Sequence, residues 1–283
     1  MATLETFSGQ QPAWCPGCGN FAILKAFKEV MVELQLEPHQ FTVVSGIGQA
    51  AKLPHYTKCN TFNGLHGRAL PVATGIRLAN PAMPVIVTTG DGDCYGEGGN
   101  HLMAAMRRNI NVKLFVHNNQ IYGLTKGQPS PTSDEGTRAK NVPGGVISQP
   151  LNPMALGVAL DCGFVARAFS GDAEHLKGLM KEAMAHQGLA LIDILQPCVS
   201  FNKVNTYKWY RDRVYPLGPD YDPEDRLAAF AKALEWGERI PTGVIYRTSR
   251  AAYEERVPVL AAGPLVQRAF DPAKIKATLQ DFY

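Results

Sequence analysis

No stretch of this chain approaches the roughly 18 consecutive apolar residues that a membrane-spanning helix needs, so no transmembrane segment is expected. The first residues, Met-Ala-Thr-Leu-Glu-Thr-Phe, lack both a basic start and an apolar core. That argues against a secretory signal and makes the cytoplasm the expected location. There is no dense block of Lys or Arg, and the net charge is only +3, so nucleic acid is not an expected partner. Six cysteines in 283 residues do not suggest a disulfide framework. Internal repeats and low-complexity tracts are also missing. What is left is an ordinary globular composition, 45% hydrophobic and 19% charged, in a length that suits one large α/β domain with extensions.

The most informative feature present is Gly90-Asp91-Gly92-Asp93, followed 28 residues after Asp91 by Asn119 of an Asn-Asn pair. Residues 85–89 read as a short strand. Residues 97–108 carry Leu102, Met103, Ala105 and Met106 at helical spacing, with Arg107 and Arg108 where a helix C-terminus favours cations. Residues 112–117 read as a second strand. A right-handed crossover makes the two strands parallel, so Asp91 and Asn119 are expected side by side at the carboxyl edge of the sheet, where open α/β sheets bind ligands. Mg²⁺ takes about six oxygens and is often shared with phosphates. Asp91 offers an anionic oxygen, Asn119 a neutral one, and a backbone carbonyl just past Asn119 a third. The glycines let backbone N–H groups approach a diphosphate.

The second feature is Cys15-Pro16-Gly17-Cys18. By itself such a turn suits a zinc knuckle, a redox dithiol or part of an iron–sulfur site. Further ligands would come from Cys59, Cys94, Cys162 or Cys198. Cys198 follows the buried-strand run 191–195, Cys59 sits in a loop ahead of residues 63–68, Cys94 lies within the Gly-Asp-Gly turn, and Cys162 reads as a packed core thiol.

Around these features the pattern alternates. Helices are expected over 21–36, 67–80, 152–163 and 172–187, and strands over 41–44, 164–168 and 190–195. This predicts a doubly wound, mostly parallel sheet. The stretch 127–150 is rich in Gly, Pro, Ser and Thr without periodicity, and so long a loop in a compact domain is usually functional. Residues 1–200 read as one domain with a cysteine-bearing lead-in over 1–20. Residues 201–283, with recurrent prolines and one helix expected over 224–237, read as an extension packed on the domain or on a partner subunit.

Gly-Asp-Gly followed by Asn-Asn resembles the thiamine-diphosphate (ThDP) motif. The wider set of stretches resembles the β subunit of 2-oxoacid:ferredoxin oxidoreductases: Trp14 to Asn20, Ser45-Gly46-Ile47-Gly48, His66 to Pro71, residues 73–75, Gly90 to Asn119, Ile121 to Gln128, and Gln196-Pro197-Cys198. The resemblance spans roughly residues 12–210. It implies Mg²⁺ ligation by Asp91, Asn119 and the Ile121 carbonyl, with Gly90, Gly92 and Asp93 lining the diphosphate pocket. Ser45, Gly46, Ile47, Gly48, His66, Cys94, Gly123, Leu124 and Thr125 are further expected cofactor contacts. It also implies one [4Fe–4S] cluster on four cysteines. Many members carry a cysteine directly after Ser-Gly-Ile-Gly, where this chain has Gln49. The ligand set is therefore expected to be Cys15, Cys18, Cys198 and Cys59.

Only a diphosphate-binding half is visible, so the resemblance implies a separate α subunit, or a fused γα chain, in an (αβ)₂ assembly. It implies coenzyme A as cosubstrate and ferredoxin as electron acceptor, in a reversible oxidative decarboxylation of a 2-oxoacid. His66, Lys52, Thr125 and Lys126 are the candidate catalytic or substrate-facing residues. Between 2-oxoglutarate and pyruvate the expectation favours 2-oxoglutarate. A dicarboxylate needs a cation for its distal carboxylate, and Lys52 and Lys126 lie in loops that can converge on the cofactor. The position of Leu124, often a polar Asn in members that take small 2-oxoacids, is apolar here. A non-redox ThDP decarboxylase or synthase half is the alternative; it has no use for the cysteines.

Overall fold

The computed structural model describes residues 2–283. The lead-in runs to helix α1 (Asn20–Glu33), then strand β1 (Thr42–Ser45), a 3₁₀ turn over Ala50–Tyr56, and strand β2 (Asn60–Asn63). Helix α2 (Ala69–Ala79), strand β3 (Val85–Gly90), helix α3 (Gly99–Arg108) and strand β4 (Lys113–Asn118) follow. A small hairpin of β5 (Ile121–Tyr122) and β6 (Gln128–Pro129) precedes the long loop. The alternation then resumes with α4 (Pro153–Ala159), β7 (Phe164–Phe169), α5 (Ala173–Ala185) and β8 (Ala190–Leu195). The extension contributes α6 (Tyr207–Arg211), β9 (Val214–Pro216), α7 (Arg226–Ala233), β10 (Ile240–Arg247) and α8 (Pro272–Gln280).

The main sheet has eight strands in the order β2-β1-β3-β4-β8-β7-β10-β9. From β2 to β7 every pair is parallel, and β10 runs antiparallel to β7. β4, β7 and β8 are buried along their whole length, as is β3 up to Gly90, so burial does not alternate along them, and even Lys113, His117, Arg167 and Asp193 lie inside. Two apolar layers cover the sheet. One holds Phe27 and Met31 of α1 with Leu176 and Met180 of α5. The other holds Leu70 of α2, Leu102 and Met106 of α3, Met154 of α4 and Ala229 of α7. This is the doubly wound architecture that the alternation predicts.

Local chemistry sets the element ends. Asn152 accepts from the amides of Met154 and Ala155 ahead of Pro153, and Asp172 accepts from the amide of His175, each capping its helix. α3 ends at Asn109 in the left-handed conformation, φ 56°, which asparagine tolerates better than most residues.

The differences from expectation have physical causes. The helix expected from 97 starts at Gly99, because Gly92–Glu97 winds as a π-helical turn. β2 replaces an expected loop; its four residues are exposed and polar-rich, so no alternation marks it. β10 contains Pro241 and Gly243, which count against a strand. It is accommodated because Pro241 pairs with short β9, next to the sheet edge, and the register shifts between Val244 and Tyr246. The extension thus adds two strands to the sheet.

Candidate cofactor and cysteine site

Gly90 pairs with His117 in parallel register, so the chain leaves β3 and β4 at the same level. Asp91 emerges there, 1% exposed. Its Oδ2 accepts from the hydroxyls of Ser130 at 2.5 Å and Thr132 at 2.7 Å. Both donors come from the start of the long loop. Burial pushes the Asp91 carboxyl up to about 6; Ser130 and Thr132 oppose the rise and the charge of Asp193 adds to it. Asn119 lies opposite. Its Nδ2 donates to Gln196 Oε1 at 3.1 Å, and its Oδ1 accepts the Ile121 amide at 3.0 Å. Gln120 between them adopts a left-handed φ of 58°, which swings Ile121 back toward Asn119.

These residues open on one cleft. Ile47, Gly48, His66, Gly90, Asp91, Gly92, Asp93, Asn119, Ile121, Gly123, Leu124 and Thr125 line it, with Gln49 and Tyr122. A buried carboxylate, an amide oxygen and a backbone carbonyl are the oxygen types that suit a hard cation, and backbone N–H groups beside glycines suit a diphosphate. The glycines have steric reasons to be glycine: a Cβ on Gly92 would stand 2.3 Å from the Tyr122 ring, and one on Gly46 would stand 2.1 Å from Asp93 Oδ2.

Asp93 lines the cleft but acts as a brace. It accepts from Thr89 Oγ1 at 2.6 Å, Ile47 N at 3.2 Å and Gly67 N at 2.7 Å. His66 Nδ1 stands 2.8 Å from the same carboxylate. One buried acid thus ties three loops together. Cys94 corrects an expectation: it turns away from the cleft into the apolar layer near Leu70 and Val87, because the π-helical turn rotates it under the sheet edge. Ser45 is also beneath the cleft rather than lining it; its hydroxyl accepts from Asn63 Nδ2 at 2.7 Å. Lys52, in the 3₁₀ turn, and Lys126, exposed at φ 76°, do not line the cleft within this chain.

The cysteine loop docks on the segment after β8. Gly19 N donates to Pro197 O at 3.4 Å, a Cβ on Gly17 would lie 3.7 Å from Val199, and Ser200 Oγ donates to Cys15 Sγ at 3.0 Å. Gln196 Nε2 lies 3.5 Å from Cys18 Sγ. The Cys18 thiol is pushed up to about 11, by burial first and then by the nearby charges of Cys198 and Cys15. Cys15, Cys18 and Cys198 therefore share one corner. Gln196 touches both Cys18 and Asn119, which joins that corner to the cleft. The Gln-Pro-Cys stretch marks this residue in the sequence, but nothing in the sequence shows that it bridges the two sites.

Cys59 does not join them. It precedes the first residue of β2, and Asn60 pairs with Thr42, the first residue of β1, so Cys59 is at the amino edge of the sheet. The length of β1 separates it from the carboxyl edge, about 13 Å at roughly 3.3 Å per residue. Its thiol is raised by burial alone, with no other cysteine contributing. The expectation of a loop returning to the cluster fails because the 3₁₀ turn carries the chain back down beside the lead-in, where Lys58 N donates to Phe7 O at 3.1 Å. Cys162 is buried in the core, as expected. Among the described residues, no three His, Cys, Asp or Glu side chains stand close enough to hold a single metal ion. A compact tetrahedral zinc site is therefore not preformed; an iron–sulfur cube spreads its thiolates more widely.

The family description "Thiamine pyrophosphate enzyme, C-terminal TPP binding domain" matches residues 40–194. The family describing the C-terminal part of the pyruvate ferredoxin oxidoreductase beta chain matches residues 198–262. A 2-oxoacid:ferredoxin oxidoreductase subunit beta from Sulfolobus sp is 46% identical over 90% of this chain and 88% of its own length. The chain is a β subunit of the 2-oxoacid:ferredoxin oxidoreductase family. The β subunit is also similar to the 2-oxoglutarate oxidoreductase subunit KorB of Mycobacterium tuberculosis, at 45% identity over 69% of this chain and 52% of KorB. A solved 2-oxoglutarate:ferredoxin oxidoreductase from Magnetococcus marinus, with 2-oxoglutarate, coenzyme A and succinyl-CoA bound, superposes with a TM-score of 0.91 at 36% identity. The match covers 98% of this chain and 96% of that one. As a β subunit of an oxidoreductase, it works with an α partner. No helix among the described residues is long and apolar enough to cross a membrane.

Proposed function

We propose that this β subunit supplies the Mg²⁺–diphosphate anchor and one iron–sulfur cluster to a cytoplasmic 2-oxoglutarate:ferredoxin oxidoreductase, which converts 2-oxoglutarate and coenzyme A to succinyl-CoA and CO₂ and can run in reverse. Asp91, Asn119 and the Ile121 carbonyl would hold Mg²⁺. Gly90, Gly92 and Gly48 would let the backbone close on the diphosphate. ThDP, when bound, supplies the electron sink for decarboxylation. His66, beside Asp93, and Thr125 line the same cleft and would position the substrate. Lys52 and Lys126 would reach the distal carboxylate once the α partner closes the pocket. Residues 1–200 would act as the cofactor domain, and 201–283 as an extension packed on it, within an (αβ)₂ complex.

The observation that carries this reading is Gln196. Its amide bonds Asn119 on one side and approaches Cys18 on the other. A non-redox ThDP enzyme half would have no reason to couple its metal anchor to a cysteine corner. Electrons leaving the cleft would meet that corner first, on the way to ferredoxin. The choice of 2-oxoglutarate is supported by the KorB relatives and by the ligands of the Magnetococcus structure. The test is the complex reconstituted with its α subunit and assayed with a panel of 2-oxoacids, coenzyme A and ferredoxin. Preference for 2-oxoglutarate is expected; preference for pyruvate would overturn the substrate assignment. Dye reduction by the β subunit alone would overturn the need for a second chain.

A further inference from the structure

We infer that the cluster of this subunit is held by only three thiolates, from Cys15, Cys18 and Cys198, and that its fourth corner faces Gln49. The inference rests on the cluster reading above and departs from the four-thiolate pattern that reading would suggest.

Three observations carry it. The free cysteines that remain are all remote from the corner: Cys59 at the amino edge of the sheet, Cys94 and Cys162 in the core layer on one face. Gln49 is present at the corner instead. The Trp14 indole N–H, next to Cys15, donates to the Gln49 carbonyl at 2.9 Å. The Gln49 Cγ lies 3.6 Å from where a Gly123 Cβ would stand, so its side chain stands beside the cleft while its backbone meets the residue next to Cys15. Finally, Gln49 Oε1 is sealed from solvent and has no hydrogen-bond partner. A buried acceptor in that condition is costly unless something at the site satisfies it.

The chemical consequence is an iron without a thiolate. Such an iron leaves readily on oxidation. A [4Fe–4S]²⁺ cube then becomes [3Fe–4S]⁺, releasing Fe²⁺ and one electron, which ferricyanide accepts. A cube held at all four corners by thiolates resists this loss.

The test uses the αβ complex purified without oxygen. Iron and sulfide are measured, one equivalent of ferricyanide is added, and the three-iron signal is followed by electron paramagnetic resonance. Wild type is expected to show that signal and to lose it again when Fe²⁺ and a reductant are supplied. Cys59→Ser should behave like wild type, with unchanged iron. Gln49→Cys should retain iron and show at least a tenfold smaller three-iron signal. Co-purification of the α subunit with each variant reports folding. If Cys59→Ser loses the cluster while the α subunit still co-purifies, or if wild type resists ferricyanide as Gln49→Cys does, the three-thiolate inference is overturned and the cluster reading stands. If wild type binds no iron at all, both fall together.

Discussion

The two ends of one short strand differ sharply. At the carboxyl end of β1 the chain enters Gly46-Ile47-Gly48-Gln49, is tied to Asp93, and reaches both the cleft and the cysteine corner. At its amino end Phe41 is fully buried between Phe7 and Phe27, with ring centroids 6.0 and 6.3 Å away. One end gathers buried polar groups, most of them joined through specific hydrogen bonds, with Gln49 Oε1 left unpartnered. The other is held by apolar contact, which is non-directional. A cysteine at the first end can share in chemistry. Cys59, at the second, is a small partly buried side chain packed on the core.

Changes at the two edges should therefore separate. The largest effect is expected from Asp91→Ala, which removes the carboxylate proposed to hold Mg²⁺. ThDP and Mg²⁺ retention after gel filtration should fall by about a hundredfold or more, while visible absorption from the cluster persists. Retention of stoichiometric ThDP would show that the anchor was misassigned. Cys15→Ser, Cys18→Ser and Cys198→Ser come next. Each should lose iron, measured per αβ unit, and leave ThDP binding intact.

At the amino edge the pattern should invert. Phe41→Ala should cost about 3–5 kcal/mol of stability, as large-to-small core changes do, and leave ThDP and iron stoichiometry unchanged in the folded fraction. Denaturant melts and cofactor analysis on the same sample check this. If that variant folds normally but loses either cofactor, the two ends are not independent.

Smaller effects should sharpen the contrast. Gln196→Leu leaves Asn119 without its partner, so ThDP affinity should drop by roughly tenfold, in line with about 1–3 kcal/mol for an unsatisfied buried group. Because Gln196 also approaches Cys18, the rate of cluster reduction after mixing with 2-oxoacid should change as well. An effect on ThDP alone would show that the bridge is only structural. Lys52→Met and Lys126→Met should raise KM for 2-oxoglutarate more than for pyruvate. Equal losses for both substrates would remove the lysines from selectivity.

A further effect concerns pH. His117 ends up buried at the carboxyl end of β4, its Nδ1 2.7 Å from Asn20 Oδ1. Burial pushes it down to about 3. The unfolded chain takes up that proton near pH 6.5. Between those values the unfolded state binds more protons, so stability falls as pH drops below about 6.5, by about 2 kcal/mol at pH 5. Asp91, raised to about 6, acts in the opposite sense: its contribution is present at low pH and is lost as pH rises through that value. The difference in Tm between wild type and His117→Gln across pH 5–7 isolates the histidine. An unchanged difference across that range would show that His117 titrates normally.

The β-α-β unit, and the sheet edge that Asp91 and Asn119 share, were legible from residues alone. A strand buried on both faces writes itself as an apolar run, and a parallel crossover leaves no choice about which edge Asp91 and Asn119 share. The same logic reached Cys198, because it follows a strand. It missed β9 and β10, whose prolines and glycine hide strands at the edge of the sheet. It also missed the bracing by Asp93 and the two hydroxyls, Ser130 and Thr132, that a loop without periodicity delivers to Asp91.

Local sequence thus determined which groups leave the sheet at its carboxyl edge: residue type, strand period and the handedness of the crossover are properties of the chain itself. Only the tertiary structure decided which distant segments meet there. Whether residue 59 returns to the edge or stays at the other end depends on the path of a 3₁₀ turn and on backbone pairing with Phe7, and neither leaves a periodic mark. The meeting of Asn119, Gln196 and Cys18 is likewise a product of packing between segments far apart in the chain, where hydrogen bonds between buried groups select one arrangement that no single segment encodes.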